Sequence, residues 1–96
     1  MIVTLRPEAE ADLESAARWY EDRRRGLGGR FLDEVQRTID RVAENPQGFP
    51  RMHGEIRRAV TRRFPFGVFF LVENDAIIIL AVMHASRDPV RWKERM

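Results

Sequence analysis

The chain has 96 residues, 44% hydrophobic and 33% charged, with 17 basic side chains against 15 acidic. That suffices for one domain with one core over residues 1–96, and it is too apolar and too evenly charged for a disordered segment. Cysteine is absent and His53 and His84 lack ligand spacing, so no disulfide, metal or other cofactor is expected, and packing must supply the stability.

The N-terminus reaches Arg6 and Pro7 too soon for a secretory apolar region, and the longest uncharged stretch, Ala76 to Ser86, is far shorter than the roughly 18 apolar residues of a membrane helix. A cytoplasmic protein without a membrane partner is expected. Residues 1–50 carry 8 basic against 10 acidic groups and residues 51–96 carry 9 against 5, so the second half is the basic one. Lys93 is the single lysine, so the positive groups are almost all guanidiniums, which suit planar bidentate contacts with carboxylates or phosphates.

In chain order, Ile2 to Leu5 is a β-branched run that predicts a strand. Pro7 then fits a first helical position, with Glu8 and Glu10 in the first turn. Ala9, Leu13, Ala16, Ala17 and Tyr20 recur at helical spacing, and Glu14 with Arg18 and Glu21 with Arg25 are spaced to pair. Gly26 can take the left-handed cap after Arg23-Arg24-Arg25. A second stripe, Phe31, Leu32, Val35, Ile39, Val42 and Ala43, stops before Asn45-Pro46, and the short glycine-rich link predicts an antiparallel helical hairpin. Three strands follow, Ile56 to Phe64, Phe66 to Glu73 and Ala76 to Ala85, with Asn74-Asp75 closing a tight hairpin between the last two. Those two are apolar on both faces, so both faces need cover, one from the helices and the other from the tail or a partner. Asp88 and Pro89 read as cap and first position of a closing helical turn over Val90 to Arg95, anchored by Trp92.

Strand alternation puts Arg58 and Arg62 on one face with Ile56, Val60 and Phe64, and Arg57 and Arg63 on the other. Two uses fit these arginines: contact with phosphates or carboxylates, or protection of a sheet edge by charge. His84, at the end of the last strand, is fixed by the scaffold and open to solvent. It fits a structural hydrogen-bonding role or, less readily, a general acid or base.

The order strand, helical hairpin, three-stranded meander, with Arg58, Arg63-Phe64-Pro65-Phe66, the apolar hairpin, His84, Arg87-Asp88-Pro89 and Trp92, resembles the ParE branch of the ParE/RelE toxin superfamily. The resemblance covers nearly the whole chain. It implies an α+β fold, β-α-α-β-β-β, with the helical hairpin packed on a mostly antiparallel four-stranded sheet and a short C-terminal helical turn. It implies a bacterial type II toxin that inhibits DNA gyrase and is neutralised by an antitoxin encoded beside it. RelE-type relatives cut mRNA in the ribosome with clustered basic residues and often a tyrosine near the C-terminus; here Tyr20 is the single tyrosine and lies in the first helix.

Arg58, Arg62, Arg63, His84, Arg87 and Trp92 are therefore the expected toxic surface, acting by binding. The alternatives are a ribosome-dependent mRNA endonuclease with His84 as proton shuttle, and an inert relative that only binds antitoxin. The antitoxin is expected to be acidic, of the ribbon-helix-helix DNA-binding kind, to lay an amphipathic helix on Leu13, Trp19 and Tyr20, and to form a higher-order complex. Direct nucleic-acid contact is the less favoured use of the basic surface.

Overall fold

The structure, a computed structural model, describes residues 1–85 and Glu94. Strand β1 (Ile2–Leu5) leads into helix α1 (Pro7–Arg23), and helix α2 (Leu27–Glu44) returns beside it. A single 3-10 turn (Pro46–Gly48) precedes strands β2 (Arg51–His53), β3 (Ile56–Val60), β4 (Phe66–Glu73) and β5 (Ala76–His84). The sheet runs β1-β5-β4-β3-β2, parallel only between β1 and β5. It thus has five strands where four were expected. The extra one, β2, pairs with β3 through an irregular register and carries too few residues to show an alternating pattern. The expected closing turn, with Arg87, Asp88, Pro89 and Trp92, lies outside the described residues.

Helix α1 begins as its sequence dictates, with Pro7 at the start and Glu8 and Glu10 against the positive end of the dipole. Ala9 is fully buried, and Leu13, Ala16, Ala17 and Tyr20 pack on the core. Glu14 and Arg18 pair at 3.0 Å on the exposed side, a contact of a few tenths of a kcal/mol. Glu21 does something other than pair with Arg25. Its carboxylate accepts the N–H groups of Gly26 at 2.9 Å and Gly28 at 3.0 Å. The opening N–H groups of α2 have no partner within the helix, and a carboxylate at that positive end gains more from them than from an exposed guanidinium. Gly26 sits at φ +88 and makes the corner, while Gly28 lets the helices approach: a Cβ there would lie 2.5 Å from the Ala17 carbonyl oxygen.

Phe31, Val35, Ile39 and Val42 of α2 are buried against the sheet. Leu32, counted in the same stripe, is 43% exposed, because the stripe that packs also takes in Glu34 and Thr38. On the sheet, Val68, Phe70, Ile77, Ile79 and Val82 face the helices, and Ile56, Phe69, Leu80, Ala81 and Met83 form a second cluster on the opposite face. Both faces of the β4–β5 hairpin are apolar and buried, as the unbroken runs implied. Asn74, at φ +55, closes that hairpin with Asp75.

One irregularity sets the geometry of everything beyond it. Phe69 pairs with Ala81 but Phe70 pairs with Ile79, which leaves Leu80 as an extra residue in β5. The alternation slips there, so that Ile79 and Val82 both face the helices. β1 ends opposite Ile79, and beyond that point Asp12 of α1 accepts the Val82 N–H at 2.9 Å in place of a neighbouring strand.

Candidate functional site

The expected strand from Ile56 to Phe64 stops at Val60 because Thr61 turns the chain. Its N–H donates to the Phe66 carbonyl at 2.9 Å, and its hydroxyl donates to the Phe64 carbonyl at 2.6 Å. Arg63 takes φ +68, a left-handed conformation that costs a non-glycine residue about 1–2 kcal/mol. Two anchors hold the turn in that shape. Phe64 and Phe66 insert beside Tyr20 and Phe31, with Phe64 at 5.0 Å from Tyr20 and Phe66 at 4.9 Å from Phe31 between ring centroids. Glu34, 6% exposed, accepts the Arg62 N–H at 2.9 Å through Oε2 and Arg37 Nη1 at 3.3 Å through Oε1. The side chains of Arg62 and Arg63 stay exposed while their backbone is tied down.

Two concavities flank Pro65. One, of about 620 Å³, lies between this turn and α2 and is lined by Tyr20, Arg30, Glu34, Arg37 and Arg63 among others. The other, of about 430 Å³, lies between α1 and the end of β5 and includes Asp12, Trp19, Tyr20 and His84. The His84 ring meets Phe66 edge to face at 5.5 Å, on the helix side of the sheet, because the extra Leu80 has shifted the alternation.

Arg58 stands elsewhere. It is paired across the sheet with Phe69, so it lies on the face away from the helices. Its stem crosses Gly67, where a Cβ would come within 3.0 Å of Arg58 Cδ, and its buried Nε–H meets no acceptor among the described residues. The expected common face of Arg58 and Arg62 is therefore corrected: alternation ends with the strand, and Arg62 belongs to the turn. The nominated surface divides into Arg62, Arg63 and His84 around Pro65 and Arg58 on the opposite face, while Arg87 and Trp92 lie outside the described residues. Arg57 serves the fold, donating from Nη1 to the Phe49 carbonyl at 2.6 Å.

Of the nominated antitoxin contacts, Leu13 packs against the core and Tyr20 sits among Trp19, Phe31, Phe64 and Phe66. Trp19 is 42% exposed, with the Arg23 guanidinium 3.7 Å above its ring. Sequence reasoning missed Asp12 and Glu34. The signal was present: each is a carboxylate on the inward side of its helix, Asp12 three residues after Ala9 and Glu34 three after Phe31, where a charged group needs a buried partner. Among the described residues no group of three or more histidines and carboxylates could hold a metal ion, and no helix is long and apolar enough to cross a membrane.

A comparison with curated protein sequences returned no match. Among solved structures, the fold is similar to a chain of the chromosomal ParDE toxin–antitoxin system from P. aeruginosa, with a TM-score of 0.70 and 24% identity, covering 90% of this chain and 97% of that one. The family model for the ParE toxin of the type II toxin–antitoxin system parDE matches residues 3–89. With the strand, helical hairpin and meander in that order, and with a match over nearly its whole length, the chain belongs to the ParE toxin family of type II toxin–antitoxin systems.

Proposed function

We propose that this toxin acts in the cytoplasm by gripping DNA gyrase without cleaving RNA, and that an acidic antitoxin neutralises it. The supporting observation is the placement of His84 and Arg58 on opposite faces of one sheet. RNA cleavage needs a proton taken from the 2′-hydroxyl, a proton given to the leaving oxygen, and a cation at the same phosphate. A guanidinium shuttles protons poorly because its pKa is so high, which leaves the first two tasks to His84. A phosphate beside His84 lies across the sheet from Arg58, and Arg63 lines the other concavity, beyond Pro65. A binding surface needs no such convergence. Arg62, Arg63 and His84 on a braced rim serve it as they stand, with Arg58, Arg87 and Trp92 as further contacts.

The antitoxin completes the reading. An acidic segment complements the basic second half of the chain and speeds encounter, and an amphipathic helix would use Trp19 as its exposed anchor beside Tyr20 and Leu13. A ribbon-helix-helix partner and a higher-order complex fit the module. The test is supercoiling by purified gyrase at rising toxin concentration, set beside toeprinting of translating ribosomes. Loss of supercoiling with intact transcripts is the expected result, and cut transcripts with unaffected gyrase would replace the binding reading with the enzyme.

A further inference from the structure

We propose that Glu34 is a positioning residue for toxicity: its buried carboxylate holds the Arg62–Arg63 turn in the shape that presents Arg63 to the target. This rests on the reading above that the basic rim is the toxic surface.

Three features of the turn carry the inference. Glu34 comes from α2, 28 residues before its partner, and reaches the Arg62 N–H at 2.9 Å with the oxygen that Arg37 does not engage. It is 6% exposed, so this charge-assisted bond is shielded from water and is stronger than a surface contact. The very next residue, Arg63, is held at φ +68, a conformation that an arginine leaves when nothing over-determines it. Thr61 and the rings of Phe64 and Phe66 fix the two ends of the turn, and Glu34 is the group that fixes its crown. Without that acceptor the crown can relax to an ordinary backbone and carry the Arg63 guanidinium away from the Arg30 and Arg37 side of the cleft.

The experiment expresses the full chain from a graded promoter and reads the amount needed to arrest growth, a readout independent of which macromolecule is the target. The soluble level and thermal midpoint of each variant are measured alongside. Arg63→Ala should raise the required dose by about tenfold, the factor of one hydrogen-bond-sized interaction. Glu34→Ala should do the same, and Glu34→Gln, which keeps an oxygen for the Arg62 N–H, should restore most of the potency. The double variant should be no weaker than either single one, because Arg63 has nothing left to lose once its support is gone. A brace that is merely structural would give losses that multiply and that follow the thermal midpoint. Should Glu34→Ala fail to fold, Glu34→Gln still decides through the Arg62 amide: its proton resonance should move upfield as the acceptor loses its charge, with potency nearly kept. Multiplying losses, or full potency in a folded Glu34→Ala, would overturn the proposal. Growth arrest without any effect on gyrase would sink the gyrase assignment alone, and a wild-type chain that arrests nothing would sink both.

Discussion

Asp12 on α1 and Val82 on β5 are joined across 70 residues by a 2.9 Å hydrogen bond, at the place where β5 has lost β1 as a neighbour and has just changed phase. The carboxylate finishes a sheet edge that β1 leaves open beyond Ile79. It also tethers β5 to α1 just past the extra Leu80 that sets the side on which His84 emerges.

Asp12→Ala should therefore lower stability by about 1–3 kcal/mol, because a part-buried N–H loses its acceptor. Asp12→Asn, which keeps an oxygen in place, should lose less. Urea unfolding of the purified chain, read as a shift in midpoint at constant slope, checks both.

Neighbouring glycines in α2 should respond with opposite signs. Gly28→Ala meets the Ala17 carbonyl oxygen at 2.5 Å and must push α1 away, costing about 1–3 kcal/mol. Gly29→Ala has nothing within 4 Å and should stabilise the helix by roughly 0.5–1 kcal/mol. Thermal melts of the two single variants suffice.

Most of the fold was legible because helical spacing and long apolar runs survive in any context. Pro7, the α1 stripe, the break at Asn45-Pro46 and the Asn74-Asp75 hairpin are local signals, and each marks what the structure contains. The phase of β5 was not legible for a physical reason: Ile77 to Val82 is apolar at every position, so no alternation records where the extra residue sits. That hid the face on which His84 emerges. β3 was read too long because its end depends on the Thr61 hydroxyl meeting carbonyls that follow it in the chain. Asp12 and Glu34 act on partners 70 and 28 residues away, beyond the reach of any local pattern.

Gly67→Ala separates Arg58 from the rest of the surface. The new Cβ would lie 3.0 Å from Arg58 Cδ, 3.1 Å from its Cγ and 3.3 Å from the Phe69 ring, so the arginine stem must shift and the ring give slightly. Stability should change by less than about 1 kcal/mol. If Arg58 contacts the target, the toxic dose should rise as far as it does for Arg58→Ala, and an unchanged dose in both variants would remove Arg58 from the target contact.

Trp19→Ala tests the antitoxin side. An exposed aromatic anchor at an interface typically contributes about 2 kcal/mol or more, so affinity for the antitoxin should fall by roughly thirtyfold. Its 42% exposure keeps the cost to folding small. Calorimetric titration of the two purified proteins reads the affinity.

The proposed grip on gyrase needs only a braced rim of guanidiniums and one imidazole, with no chemistry. Supercoiling by purified gyrase in the presence of wild-type, Arg63→Ala and His84→Ala toxin tests it most directly. Inhibition should saturate with bound toxin, weaken about tenfold in each variant, and reverse when antitoxin is added. Gyrase that supercoils normally at saturating wild-type toxin would contradict it.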